Sequence, residues 1–180
     1  MRRLVFFVAL AAALAAVAAG CGGKSQPAAV PTNDWANSVC GDLVTWTTTM
    51  KSLASSLKSN PTKAGLQDAV TQAEDATKTL SSSLKSLGKP DTPAGQQAKD
   101  DLSTLADELT ADVDKIQTAV KNASGVSGAL TAVSTASATL VTMGQQVSAT
   151  FGELQKLDAK GELEKAFSSS SSCKQLTSGG

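Results

Sequence analysis

A chain of 180 residues with equal numbers of acidic and basic side chains, no histidine and no tyrosine narrows the range of functions before any motif is read. The neutral balance gives no electrostatic ground for binding nucleic acid or anionic lipid. Without histidine the usual serine and cysteine triads, imidazole metal ligation and the side chain that titrates nearest neutrality are all missing.

The chain opens MRRLVFFVALAAALAAVAAG, with two arginines, an apolar run from Leu4 to Val17 and then small residues. This is the layout of a secretory signal peptide, because the run falls short of the roughly 20 residues a membrane-spanning helix needs. Residues 1–20 are therefore expected to be removed. The adjoining Val17-Ala18-Ala19-Gly20-Cys21 resembles the lipobox of bacterial lipoproteins, with Ala18 where leucine is commoner. The resemblance implies that Cys21 becomes the mature N-terminus and carries acyl chains such as palmitate. Several such chains anchor a protein stably where one does not, which would place it on the outer face of the cytoplasmic membrane. Residues 21–33, including GGKSQPAAVPTN, read as a flexible tether.

Residues 34–177 read as one helical domain. From Asp34, the apolar positions Trp35, Val39, Leu43, Trp46, Met50, Leu53 and Leu57 recur at steps of three and four, the stripe of an amphipathic helix. Asn60-Pro61 reads as an N-cap and first helical residue, and Leu66, Val70, Ala73, Leu80, Leu84 and Leu87 form a second stripe. Gly88 and Pro90 stop it. Thr92-Pro93 repeats the start signal ahead of Ala98, Leu102, Leu105, Leu109, Val113, Ile116 and Val120. After a break at Asn122 to Gly125, Ser127 is expected to cap a fourth stripe of Leu130, Val133, Leu140, Val147, Phe151 and Leu154, whose two gaps hold Ser137 and Gly144. No segment alternates with the period of a strand.

Short connections make consecutive helices antiparallel neighbours, so the expectation is an all-α, up-down-up-down four-helix bundle. An even number of helices returns the C-terminal extension to the start of helix 1. Cys173, behind five serines, then lies beside Cys40. In an oxidising compartment, with Cys21 acylated, these two are expected to pair, closing a loop that the chain-entropy model values at about 5 kcal/mol. The competing reading is a free, reactive Cys173 next to Lys174.

The sites the residues suggest are few. Asp100, Asp107 and Asp114 on helix 3 could interest calcium, but their seven-residue spacing separates them by roughly 10 Å, and a solvated face answered by lysines explains them, so no metal or other cofactor is expected. Trp46 reads as core and Trp35 as a cover for the bundle base with Phe167. Ser137, Gly144 and Gly152 either let a neighbouring helix approach or leave room for an apolar ligand, with Trp46 and Gly144 as candidate ligand-binding residues. Asn122-Ala123-Ser124 reads as a turn. With the Trp-Ala-x-x-Val-Cys opening at Trp35 to Cys40, helices rich in alanine, serine and threonine, and a late second cysteine, the chain resembles the small all-helical lipoproteins of high-GC Gram-positive (actinobacterial) bacteria. That resemblance implies a protein on the outer face of the cytoplasmic membrane, anchored through Cys21, and the lack of catalytic chemistry in the chain adds the expectation that it is non-enzymatic. Two functions stay open: an interaction or scaffolding module for a protein partner in the cell envelope, and a helical bundle that binds a small molecule or lipid. A closed, filled core would favour the partner, and an open interhelical cavity the ligand.

Overall fold

The computed structural model describes residues 29–59 and 62–178. The expected signal peptide, Cys21, most of the tether and the Asn60-Pro61 pair lie outside these residues. Within them the chain forms six helices: α1 (Thr32–Ser59), α2 (Lys63–Ser86), α3 (Gly95–Lys121), α4 (Gly125–Lys156), α5 (Glu162–Ser169) and α6 (Ser171–Ser178). No strand occurs among the described residues. A single bridge ties Val30 to Pro90, with the Val30 N–H donating to the Lys89 carbonyl at 2.8 Å and the Asp91 N–H to the Val30 carbonyl at 2.9 Å.

Serine and threonine normally weaken helix interiors, because their hydroxyls compete for backbone partners. Here many of those hydroxyls bond back to the carbonyl four residues earlier, as in Thr45 to Gly41, Thr49 to Thr45 and Thr104 to Asp100. The polar face thereby satisfies itself, and the apolar stripes are left to hold the fold. Trp35, Val39, Leu43, Leu66, Leu84, Leu102, Leu105 and Leu109 are all fully or almost fully buried, as their spacing predicts.

The helix starts differ from expectation in three places. Helix α2 is capped by Thr62, whose Oγ1 accepts the Gly65 N–H at 3.1 Å. Helix α3 begins at Gly95, past Thr92-Pro93, because Thr92 to Gly95 first closes a turn, the Gly95 N–H donating to the Thr92 carbonyl at 2.9 Å. A β-carbon at Gly95 would sit 2.1 Å from the Pro90 carbonyl oxygen, so this turn requires glycine. Helix α4 is preceded by Ser124 rather than Ser127, since Gly125, at φ 63°, turns the chain early and lets Gly128 pass close over the Ala123 backbone.

Side chains tie α1 to α2 and α2 to α3 at matched heights. The Trp35 indole N–H donates to the Gly88 carbonyl and that of Trp46 to the Thr77 hydroxyl, both at 3.0 Å. Lys85 pairs with Asp107 at 2.5 Å, and the Gln117 amide donates to Glu74 at 2.9 Å. Helix α3 packs along α4, whereas α1 and α4 scarcely touch. Helix α5 packs against both, and α6 packs on α1 and α5. Phe167 of α5 stands with its edge to Trp35 of α1 at 5.9 Å and to Phe151 of α4 at 4.9 Å, a three-ring stack that wedges the two long helices apart.

Candidate functional site

Asp158 sets the entry to the wedge. Its two carboxylate oxygens accept the backbone N–H groups of Lys160 at 3.1 Å and Glu162 at 2.9 Å, while Gly161 takes the left-handed conformation at φ 68° and turns the chain into α5. The Lys160 N–H above all, helped by those of Glu162 and Leu163 and by the Lys160 charge, holds the Asp158 carboxyl below its ordinary range despite burial. At the other end of α5 the serine run breaks in two. The buried Ser170 donates from its hydroxyl to Asn37 Oδ1 at 2.9 Å and accepts the Cys173 N–H at 3.3 Å, so it fastens the break to α1 and starts α6 at once.

Three residues later Cys173 is joined to Cys40, with Cα atoms 4.9 Å apart across a separation of 133 residues. The expected pairing is present, and the reading of Cys173 as a free thiol is thereby corrected. Trp35 and Phe167 cover one end together, also as expected. The five serines end one short helix and begin the next.

With α1 and α4 held apart, a groove of about 1000 Å³ opens between them. Its α1 wall includes Trp46, Met50 and Leu57, its α4 wall Val133, Leu140, Val147 and Phe151, and Leu176 of α6 closes one end. This volume lies at the top of the range typical of small-molecule sites, about 300–1,000 Å³. The two candidate residues, Trp46 and Gly144, both line it. A β-carbon built on Gly144 meets nothing within 4 Å, and Ser137, also on the wall, is exposed. These small residues therefore leave room and do not bring a neighbouring helix close. Gly152 likewise has open space where its side chain would be.

The fourth stripe needs a further correction. Its spacing places Leu130, Val133, Leu140, Val147, Phe151 and Leu154 on one face, as if for the core. The buried residues of α4 are instead Ala132, Ala136, Met143, Val147, Phe151 and Leu154, while Val133 and Leu140 are only half-buried on the groove and Leu130 is 65 % exposed. Val126 at 80 % and Val141 at 62 % extend the exposed apolar surface. The stripe straddles the seam: one edge packs on α3 and the other faces the space beside α5. Helix α4 is, among the described residues, the one long and apolar enough to cross a membrane by length and composition, yet little of its apolar stretch is buried.

Chemically the groove is plain. Lys51 is the only charged side chain among the described residues that line it. The Trp46 N–H already bonds Thr77, and the Ser148 hydroxyl bonds the Gly144 carbonyl at 3.0 Å. Burial pushes the carboxyls of Asp42 and Asp101 up, but neither lines the groove. Among the described residues no group of three or more His, Cys, Asp or Glu side chains is placed to hold a metal ion, and on the α3 carboxylate stripe Asp107 is paired with Lys85. Candidate residues on α1, α4 and α6 are thus brought together by a wedge whose parts carry no motif of their own. No family model, curated protein or solved structure resembles this chain closely enough to count as a match.

Proposed function

We propose that this is a lipid-anchored, extracytoplasmic, non-enzymatic protein whose groove between α1 and α4 holds a small apolar or lipid molecule. The observation that carries the reading is the groove itself, open, long and lined mostly by carbon, where a helical bundle would ordinarily be filled. Support for the location comes from the disulfide, which belongs in an oxidising compartment, and from the lipobox-like segment ending in Cys21. The non-enzymatic part rests on the sequence alone, which has no histidine and no spacing that singles out a Ser/Lys or carboxylate pair.

The four long helices are read as an antiparallel up-down-up-down bundle. The bonds from Trp35 to Gly88 and from Trp46 to Thr77, and those from Lys85 to Asp107 and from Glu74 to Gln117, support this, because advance along one helix is matched by retreat along the next. The resemblance to small actinobacterial lipoproteins fits the same architecture, and the acyl chains on Cys21 would hold the groove close to a membrane.

The test is native mass spectrometry of the processed protein with a panel of lipids and metabolites, alongside thermal melting. A retained mass and a raised Tm are expected with apolar members of the panel. Bare polypeptide throughout, with no shift in Tm, would reject the reading. A protein partner in the cell envelope is the second reading, favoured by the exposed Val126 and Leu130 near the start of α4. Reproducible crosslinks from that end of α4 to one envelope protein, lost in Leu130→Ser, would support it.

A further inference from the structure

We infer that two copies of this chain pair through α4, antiparallel about a twofold axis at Ser137, with Leu130 and Val126 of each copy seated over Gly144 and Ser148 of the other. The inference goes beyond the apolar-ligand reading and does not depend on it.

Spacing comes first. Val126, Leu130, Val133, Ser137, Val141, Gly144 and Ser148 follow one another at steps of four, three, four, four, three and four residues, the same from either end. At the helical turn they fall within about 80° of one another, so they share one narrow face of α4. The large apolar side chains that stand exposed among the described residues, Val126, Leu130 and Val141, are all on it. Ser137, Gly144 and Ser148 are exposed as well.

Shape comes second. In an antiparallel pair about Ser137, each residue meets the one equally far beyond the axis. Leu130 then meets Gly144, Val126 meets Ser148 and Val133 meets Val141, and the twofold axis makes every such contact twice. The first half of the stripe is a ridge of aliphatic side chains. The second half is a hollow, since a β-carbon on Gly144 meets nothing within 4 Å and both Gly144 and Ser148 line the groove. Ridge fits hollow when the face is turned end for end upon itself. A lipid surface is even along its length and matches only one of the two, and a foreign helix has no need of spacing that reads alike in both directions.

Charge and area agree. From Gly125 to Gly152, α4 carries no charged side chain, so two identical faces meet without repulsion and without stripping water from an ion. The stripe from Val126 to Ser148 is about 33 Å long at the helical rise. With the rim of α1 beside it, a contact about 20 Å wide, two helix diameters, covers roughly 650 Å² per copy. Standard stable interfaces bury roughly 600–1,000 Å² per partner. Two aliphatic side chains take up a small part of a groove of about 1000 Å³, so the pairing roofs the groove and leaves room beneath for a ligand.

The test is cysteine crosslinking in the full chain, produced and processed in a bacterial cell. Ser137→Cys, at the axis, is expected to form a covalent dimer on mild oxidation about tenfold faster than Thr142→Cys, which is exposed on α4 but off the stripe. Adding Gly144→Leu to Ser137→Cys should slow that reaction about tenfold, because the new side chain takes the seat of Leu130. The Tm should not fall, because the same side chain enters open space within its own copy. A third change, Leu130→Ala, should restore the rate by making room again, which a contact elsewhere on the surface would not show. Equal rates at the two cysteine positions, or a dimer that Gly144→Leu leaves intact, would overturn the pairing. So would a monomer that, freed of its anchor by Cys21→Ser, sediments with phosphatidylcholine vesicles and ceases to in Leu130→Ser, since the face would then belong to lipid. Each of these results leaves the ligand reading to its own mass-spectrometric test.

Discussion

The seam between α2 and α3 and the seam between α1 and α4 are built from helices of similar length, yet one is shut and the other open. At the first, Leu66, Leu84, Leu102 and Leu109 are almost wholly buried, and polar bridges from Lys85 and Glu74 cross the edge. Nearby, a void of only about 20 Å³ remains among Met50, Leu53, Leu66 and Ile116. At the second, Phe167 props two helices apart, small residues stand where larger ones would meet, and the space is about fifty times larger. An apolar stripe closes a seam only when the facing helix can reach it. What decides here is the eight-residue insert of α5, not the hydrophobicity of α4.

Truncations should separate the seams most sharply. Leu109→Ala, at a fully buried position, should cost about 2–5 kcal/mol in chemical denaturation, because a cavity is left behind. Leu140→Ala, on the groove, should cost roughly 1 kcal/mol or less, since little packed volume is lost. Equal costs would mean that the second seam is closed in solution.

Next in size is the staple behind the wedge. Cys40→Ser with Cys173→Ser should lower stability by about 2–5 kcal/mol, and reductant should produce the same loss in the parent protein. Ligand affinity should fall with it, because Leu176 at the groove's end is held through α6.

Two glycines give a smaller contrast of opposite sign. Gly95→Ala should destabilise by about 1–3 kcal/mol, as its β-carbon collides with the Pro90 carbonyl. Gly144→Ala should stabilise by about 0.5–1 kcal/mol, gaining helix propensity without a clash.

The smallest effect is expected at Asp158, and it depends on pH. A carboxyl held low in the folded state stabilises fully above its ordinary value of 3.8 and loses that contribution as pH falls through the lower folded value. Asp158→Asn should therefore lower Tm at neutral pH, and the gap from the parent should close below pH 3.8 in a melting series.

The first three helices were legible because their stripes are long and each has a partner. The cysteine pairing was legible because the sequence reading, an even number of antiparallel helices, returns the C-terminal segment to the start of the first. The open seam was written only in its gaps: Ser137 and Gly144 interrupt the fourth stripe, and periodicity says which residues share a face without saying what that face meets. The wedge was least legible. Ser170 is one serine among five, and it becomes the break between α5 and α6 only because Asn37, 133 residues earlier, stands where its hydroxyl can reach. The start of α3 was misplaced for a similar reason, since the need for glycine at position 95 comes from the Pro90 carbonyl folding back over it.

The sulfur bridge between Cys40 and Cys173 also determines where a mechanical load would travel. Tension applied between the two ends of the chain passes through the first nine residues of α1, across the two sulfurs and out through α6. The 132 residues between the cysteines form a closed loop beside that path, so the rest of the bundle, including most of the groove wall, need not unfold to bear it. For a chain tethered at one end to a moving surface, the groove would hang from a short covalent strap and keep its shape while the strap is pulled.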